Sequence, residues 1–326
     1  MKLGIVGLPF SGKTTLFRAL TGAHGAAGKF TGKANSAIVN VPDARVDRLA
    51  QMFPPKSIHL AQIEYVDIPG VDAGERRDAI VATLISIREV DAIVQVIRGF
   101  DDPACPHPKG SLDPIRDARE LWEEILIADM DIAERRIEKL RKQVTKPIPT
   151  LEEDRKQLAV LERCMKAFEE GKGVNAVEMT DAERVSIRTF QFLTEKPMLT
   201  VLNVAEDKLD CEETRAAAAA LGQDVIVLSA KIEMELAELE PEERKEFMES
   251  LGIQKTASEI LVRASYKLLK LRSFFTGIGL DFYVWTVREG ENAWAAAGKV
   301  HSDIQRGFIR AEIIRYDDVI ELGSEK

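Results

Sequence analysis

The run GLPFSGKT at residues 7–14 has the residue types and spacing to hold a polyphosphate. It fits G-x-x-x-x-G-K-[ST] at every fixed position, the pattern of a loop whose successive backbone N–H groups curl around phosphate oxygens. Gly7, Leu8, Pro9, Phe10, Ser11, Gly12, Lys13, Thr14 and Thr15 are therefore the candidate phosphate-cradling residues. The Lys13 ammonium would reach the β- and γ-phosphates, and the Thr14 hydroxyl would ligate Mg²⁺. Two further clusters fit the same chemistry. Asp67, three residues before Gly70, would hold a Mg²⁺-bound water while the Gly70 amide points at the γ-phosphate. Asn203, Val204 and Glu206, then Ser229, Ala230 and Lys231, occupy the places where base-reading N-K-x-D and S-A-K motifs stand in GTPases. The carboxylate of N-K-x-D accepts two hydrogen bonds from guanine. Glu206 is one methylene longer and Val204 cannot supply the lysine stem that stacks on the base, so strict guanine selectivity is not expected.

Three more positions complete the candidate chemistry. Thr31, in a Gly- and Ala-rich stretch after the first helix, is a candidate metal ligand, with Ser36 second. His107 sits in a Pro-rich loop after a buried strand, on the side where open α/β sheets bind ligands, and is a candidate catalytic residue together with Lys13. Val71 follows Gly70 in the region where Ras-like GTPases keep a water-orienting Gln, and its side chain cannot hydrogen-bond water. Either another group orients the water or turnover is slow.

These residues need strands to deliver them and helices to carry them away. Residues 2–6 are short and apolar before Gly7, and residues 15–20 read as a helix with no breaker before Gly22. Strands are expected at 36–39, 63–67, 91–97, 197–202 and 224–228, with helices at 43–53 and 73–89. From Ile115 to about Val144 apolar residues recur at three- and four-residue steps, a rod of roughly 45 Å. Pro147 and Pro149 break it, Thr150 with Glu153 reads as a capping box, and the seam continues through Leu158, Leu161, Met165 and Phe168. A second capped start, Thr180 with Glu183, leads through Val185 and Phe190 to Lys196. Two long helices joined by a short proline turn predict an antiparallel coiled-coil arm. Helices at 241–251 and 256–271 follow, then a small α+β segment with strands at 280–287 and 308–314 around a helix at 293–305.

The length, 326 residues, predicts two or three domains. The net charge of −9 argues against broad electrostatic binding to DNA, and no apolar run is long enough to cross a bilayer. Met1 and Lys2 lead straight into the first strand, leaving no room for a signal peptide, and three scattered cysteines suit a reducing cytoplasm.

In this order the pieces resemble the Obg-like ATPase family, also called YchF, among the translation-factor-related P-loop nucleotidases. The resemblance rests on residues 7–14, on VPDAR at 41–45, IREVD at 87–91, Asn203 to Glu206, AAGKVH at 296–301 and GFIRAE at 307–312. It implies an α/β fold: a discontinuous P-loop nucleotide-binding (G) domain at 1–114 and 197–277, a helical coiled-coil insertion at 115–196, and a β-grasp TGS-like domain at 278–326 that ends early. It further implies Mg²⁺-dependent hydrolysis of ATP, with GTP tolerated, a hydrolytic role for His107, and contact with the ribosome. A GTP-selective switch and a nucleotide-sensing scaffold with negligible turnover are the alternatives. The chain departs from the family at Phe10, where an Asn that holds K⁺ is usual, and after Gly70, where its glycine-rich stretch is shorter.

Overall fold

The computed structural model describes residues 1–22, 35–70, 77–145, 149–222, 224–278 and 280–323. The chain opens with β1 (Lys2–Val6), α1 (Lys13–Thr21), β2 (Asn35–Asn40), α2 (Ala44–Met52), β3 (Ser57–His59) and β4 (Gln62–Asp67). It continues through α3 (Arg77–Arg88), β5 (Ala92–Gly99), α4 (Pro114–Gln143), α5 (Leu151–Glu169) and α6 (Asp181–Ile187). Then come β6 (Met198–Val204), α7 (Glu212–Leu221), β7 (Val225–Leu228) and α8 (Ala230–Glu238). The last third holds α9 (Pro241–Ser250), α10 (Ala257–Leu268), β8 (Leu271–Thr276), β9 (Asp281–Arg288), α11 (Ala293–Val300), α12 (Ser302–Arg306) and α13 (Tyr316–Leu322). Two compact units divide it. One joins Lys2–Ser36 to Val66–Glu238; the other joins Met1, Ala37–Tyr65 and Leu239–Lys326.

In the first unit β1, β5, β6 and β7 run parallel, with Val6 opposite Gln95, Arg98 opposite Asn203 and Asn203 opposite Leu228. The end of β4 lies on the other side of β1, where the Ile68 amide donates to the Ile5 carbonyl. Parallel strands covered on both faces read as continuous apolar runs. The first seven residues of β5 are all buried, Gln95 and Arg98 among them. Gln95 is tolerated because its amide donates to the Ala118 carbonyl of α4. This register brings the carboxyl ends of β1, β4, β6 and β7 to one edge.

Asp113 caps α4 by accepting from the Arg116 amide, and Pro114 takes the first helical position, where a missing N–H costs nothing. α4 and α5 run antiparallel. Trp122 donates to the Gly171 carbonyl near one end, and Arg136 holds Gln157 near the other. Between them Ala133, Leu140, Leu161, Cys164 and Phe168 form a closed apolar cluster. Two details differ from the sequence reading. Thr150 makes no capping bond; its hydroxyl donates to Asp154 instead, because its backbone has already left the extended conformation a capping residue needs. Thr180 and Glu183 do form the reciprocal box, but α6 stops at Ile187 and Val185 is 67% exposed. The rest of that stretch is short 3₁₀ turns, of which Leu193–Glu195 is fixed by Asp129, whose buried carboxylate accepts from the Leu193 and Thr194 amides at 2.9 and 2.8 Å.

In the second unit β9 pairs antiparallel with β8 and parallel with β3. Strand β8 is not expected from the sequence, whose helix at 256–271 is followed by no assigned element before 280. Lys270, at φ 51°, reverses the chain after α10 and lets Leu271–Thr276 pair instead. This small sheet thus takes strands from residues 57–59 and 271–276, which the sequence division assigns to the nucleotide-binding part. The expected strand at 308–314 is absent: the segment has no ladder partner among the described residues, and Ile309 and Ile313 stand 91% and 81% exposed. The expected helix at 293–305 is split at His301, whose ring Nδ1 accepts from the Asp303 amide and starts α12. Among the described residues no helix is long and apolar enough to cross a membrane.

Candidate nucleotide-binding site

The turn from β1 to α1 is shaped by close contacts. A Cβ on Gly7 would lie 2.3 Å from the Val96 carbonyl oxygen, so only glycine lets the loop pass beside β5. Gly12, at φ 88°, is left-handed, and a Cβ there would lie 2.1 Å from the Asn203 amide nitrogen. Gly12 is the residue before α1 and provides no capping side chain, which leaves the first-turn amides at the helix's positive end for an anion. Leu8, Pro9, Thr14 and Thr15 are half-buried along this turn. Phe10 is its exposed apex, 57% accessible, and takes a left-handed φ of 63° without being glycine. Ser11 is buried beneath, its hydroxyl without a hydrogen-bond partner among the described residues.

The second motif meets the first directly. The Thr14 hydroxyl donates to Asp67 Oδ2 at 2.9 Å, while Asp67 Oδ1 is buried and has no partner among the described residues. Gly70 closes against the loop; a Cβ there would lie 2.6 Å from the Gly7 carbonyl oxygen and 2.7 Å from Lys13 Nζ. Burial pushes the Lys13 pKa down, partly opposed by Asp67. Burial likewise pushes the Asp67 carboxyl up, against the Thr14 hydrogen bond and the charges of Lys13 and Arg18. Both shifts mark a pocket where charge is short of compensation, which a polyphosphate for Lys13 and a hydrated divalent cation for Asp67 would supply. The donor set, a hydroxyl beside a carboxylate with an orphaned buried oxygen, fits Mg²⁺.

Asn203 ties the third motif to the first. Its amide nitrogen donates to the Ser11 carbonyl at 3.0 Å and its oxygen accepts from the Ala230 amide at 2.9 Å. One buried side chain therefore links the phosphate loop to the Ser229–Ala230 turn. Ser229 and Ala230 are buried, whereas Lys231 and Glu206 are exposed. Val204 corrects the sequence reading: it is 3% exposed and packs with Ile97 and Leu202, so its side chain is core and cannot cover a base.

His107 is a second correction. The Lys109 amide donates to its Nδ1 at 3.1 Å, which places the ring proton on Nε2, and Nε2 bonds Asp117 at 2.9 Å. With both nitrogens engaged and the side chain 5% exposed, it has no free atom for a water in this conformation. Thr31 and Val71 lie outside the described residues. Sequence reasoning missed Arg98 and Asp117. Arg98 was visible in principle as a guanidinium closing a strand that is apolar but for Gln95, and Asp117 was hidden as one acid among many on a helix.

This construction is that of the P-loop nucleotidases, enzymes that hydrolyse nucleoside triphosphates, and the chain is one of them. It is 39% identical to the ribosome-binding ATPase YchF of Bacillus subtilis (strain 168), with 98% of this chain and 90% of that one covered. The chain belongs to the YchF family. It is also 37% identical to the ribosome-binding ATPase YchF of Escherichia coli O157:H7, covering 100% of this chain and 91% of the relative. The solved structure of the Schizosaccharomyces pombe YchF GTPase superposes with a TM-score of 0.87 at 30% identity, covering 100% of this chain and 90% of that one. Residues 2–161 match the family described as 50S ribosome-binding GTPase. Residues 271–326 match the C-terminal YchF GTPase family, described as a protein of unknown function.

Proposed function

We propose that this enzyme binds ATP with Mg²⁺, accepts GTP less selectively than a dedicated GTPase would, and hydrolyses slowly as a conformational switch at the ribosome, in the cytoplasm. The observation that carries this reading is the Thr14–Asp67 contact at the mouth of the phosphate loop, with Asp67 Oδ1 left unpartnered among the described residues. Thr14 and Asp67, with Thr31 as the further candidate, would hold the metal. Bound there, Mg²⁺ would neutralise charge on the β- and γ-phosphates and orient them. The amides of Gly12 to Thr15 cradle phosphate oxygens, Lys13 pairs with the terminal phosphates, and the Gly70 amide faces the γ-phosphate. Asn203 sets the distance between that cradle and the base, while Ser229, Ala230, Lys231 and Glu206 border the base itself. The exposure of Glu206 supports loose base selection, because a solvated carboxylate penalises a mispaired base far less than a buried one.

Val71 in the water-orienting region and His107 held by Asp117 support slow turnover. The closed histidine also favours a second reading, a nucleotide-sensing scaffold that barely turns over. The domain division at 1–114 with 197–277, 115–196 and 278–326 belongs to the same proposal, with the antiparallel pair α4–α5 as the arm that meets a partner. Competition of ATP against GTP for a fluorescent nucleotide, with and without Mg²⁺, tests the binding reading. The expected result is displacement by both nucleotides, with ATP at least equal and both weakened without metal. Displacement by GTP alone contradicts it. Release of phosphate under multiple-turnover conditions separates the switch from the scaffold.

A further inference from the structure

Helices α3 and α4 pack on one apolar cluster, in which Ile87 of the first and Ile125 of the second lie with Val6 and Ile93 of the sheet. Next to that cluster they leave a cavity of about 350 Å³, at the lower end of the range of small-molecule pockets, about 300–1,000 Å³. Its walls are mostly apolar, with Ile80 and Leu84 from α3 and Leu121 and Ile127 from α4. It reaches the phosphate loop at Gly7 and the turn at Gly70, which the Thr83 hydroxyl ties to α3 by donating to the Pro69 carbonyl at 3.3 Å. Lys13, Thr14, Asp67 and Asn203 are not among its walls, so this space lies beside the nucleotide site rather than within it.

Two kinds of polar group break the apolar lining. Gln95 of β5 is 3% exposed; its Nε2 donates to the Ala118 carbonyl at 3.1 Å, and its Oε1 has no partner among the described residues. A buried acceptor without a donor costs stability that a ligand N–H or O–H would restore. Glu123 and Glu124 border the same space from α4, both exposed and neither in an ion pair among the described residues. The other charged groups there are already engaged. Lys109 pairs with Glu120 at 3.2 Å, Asp117 is held by His107 and Arg116, and the buried Arg98 guanidinium donates to the Phe100, Cys105 and Phe10 carbonyls. What remains is an acceptor inside, an apolar middle and two carboxylates at the rim.

We propose that this cavity is a second ligand site, for a small aromatic amine carrying a ring N–H or O–H, and that its occupancy is felt at the phosphate loop through Gly7 and Gly70. The ring donor bonds Gln95 Oε1, the ring lies between α3 and α4, and the ammonium sits against Glu123 and Glu124. The site stands independently of the proposed function; only its effect on nucleotide rests on that reading.

Tyramine is the probe, titrated calorimetrically into the wild-type chain beside phenethylamine, which lacks the hydroxyl, and 4-hydroxyphenylacetate, which reverses the charge. Saturable one-to-one binding of tyramine is expected, with phenethylamine about 5-fold weaker and the acid about 10-fold weaker or undetectable. The double variant Glu123→Gln/Glu124→Gln is expected to weaken tyramine by about 5-fold. In Gln95→Leu the preference for tyramine over phenethylamine is expected to vanish. No saturable tyramine binding, equal affinity for the acid, or full affinity in the double variant each overturns the site. Equal binding of the two amines to wild type, or a preference kept in Gln95→Leu, overturns the ring-donor assignment. The ligand pair on wild type and the two exposed glutamates carry the test where Gln95→Leu does not fold. Saturating tyramine is expected to change Kd for a non-hydrolysable ATP analogue with Mg²⁺ by about 3-fold or more, and an unchanged Kd overturns the link to the phosphate loop. Nucleotide that fails to bind even without tyramine sinks the proposed function and leaves the amine site standing.

Discussion

At the scale of single residues, burial and hydrogen bonding sort chemically similar groups into different tasks. Two thiols illustrate it. Cys164 is fully buried in the α4–α5 cluster, and desolvation pushes its thiol up to about 11. Cys211 stands before α7, where the Thr214 hydroxyl and amide bond its sulfur and hold its pKa below the ordinary value. The folded chain therefore keeps a proton on Cys164 between pH 9 and 11 that the unfolded chain releases. The stabilising difference is complete below pH 9 and is lost as pH rises through that interval, by about 2–3 kcal/mol. Denaturant melts at pH 8 and pH 10.5 check it: wild type is expected to lose more stability than Cys164→Ala, and parallel losses contradict the assignment. Iodoacetamide is expected to modify Cys211 well before Cys164 in the folded protein, read by peptide mass. The same sorting separates the sequence-picked site residues. Thr14 and Asp67 meet, Asn203 is spent inside the protein, and Val204 packs in the core.

At the scale of elements, legibility followed the strength of local patterning. β1, α1, β4 and β6 were readable because apolar strands end in residues with few structural uses elsewhere, and α4 because its periodicity is long. The second capping box, Thr180 with Glu183, was correctly read, whereas the first, Thr150 with Glu153, failed because a pattern of types does not fix the backbone angle of its first residue. β8 was lost because residues 257–271 keep helical spacing up to a reversal at Lys270 that no local residue type announces. The 308–314 strand failed for the opposite reason, since a segment with apolar residues at both ends does not bring a neighbour to pair with. Non-local contacts were invisible: nothing in the sequence joins Asp129 to residues 193–194. That contact carries a prediction. Asp129→Ala leaves two buried amides without acceptors, at about 1–3 kcal/mol each, so the melting temperature is expected to drop by several degrees. Asp129→Asn, which keeps one acceptor, is expected to fall between, and equal melting of all three proteins contradicts the capping role.

At the scale of the whole molecule, the parallel sheet collects into one edge the residues that were scattered in sequence. Val6 leads into the phosphate loop, Asp67 arrives from β4, and Asn203 from β6 ties that loop to the turn after β7. The order of motifs along the chain was sufficient to anticipate this convergence, because parallel strands present their carboxyl ends together. What stayed hidden was the second tier: Arg98 and Asp117 have no motif, and their contacts exist only once the 100–113 loop is folded against α4. The membership in the YchF family and the site geometry lead to one central claim, that main-chain amides at residues 12–15, completed by Lys13, seat a polyphosphate. Calorimetric titration of a non-hydrolysable ATP analogue with Mg²⁺ into wild type and Lys13→Ala tests it most directly. The account predicts one site per wild-type chain and affinity weakened about 10- to 100-fold in the variant; equal affinity in the two proteins would contradict it.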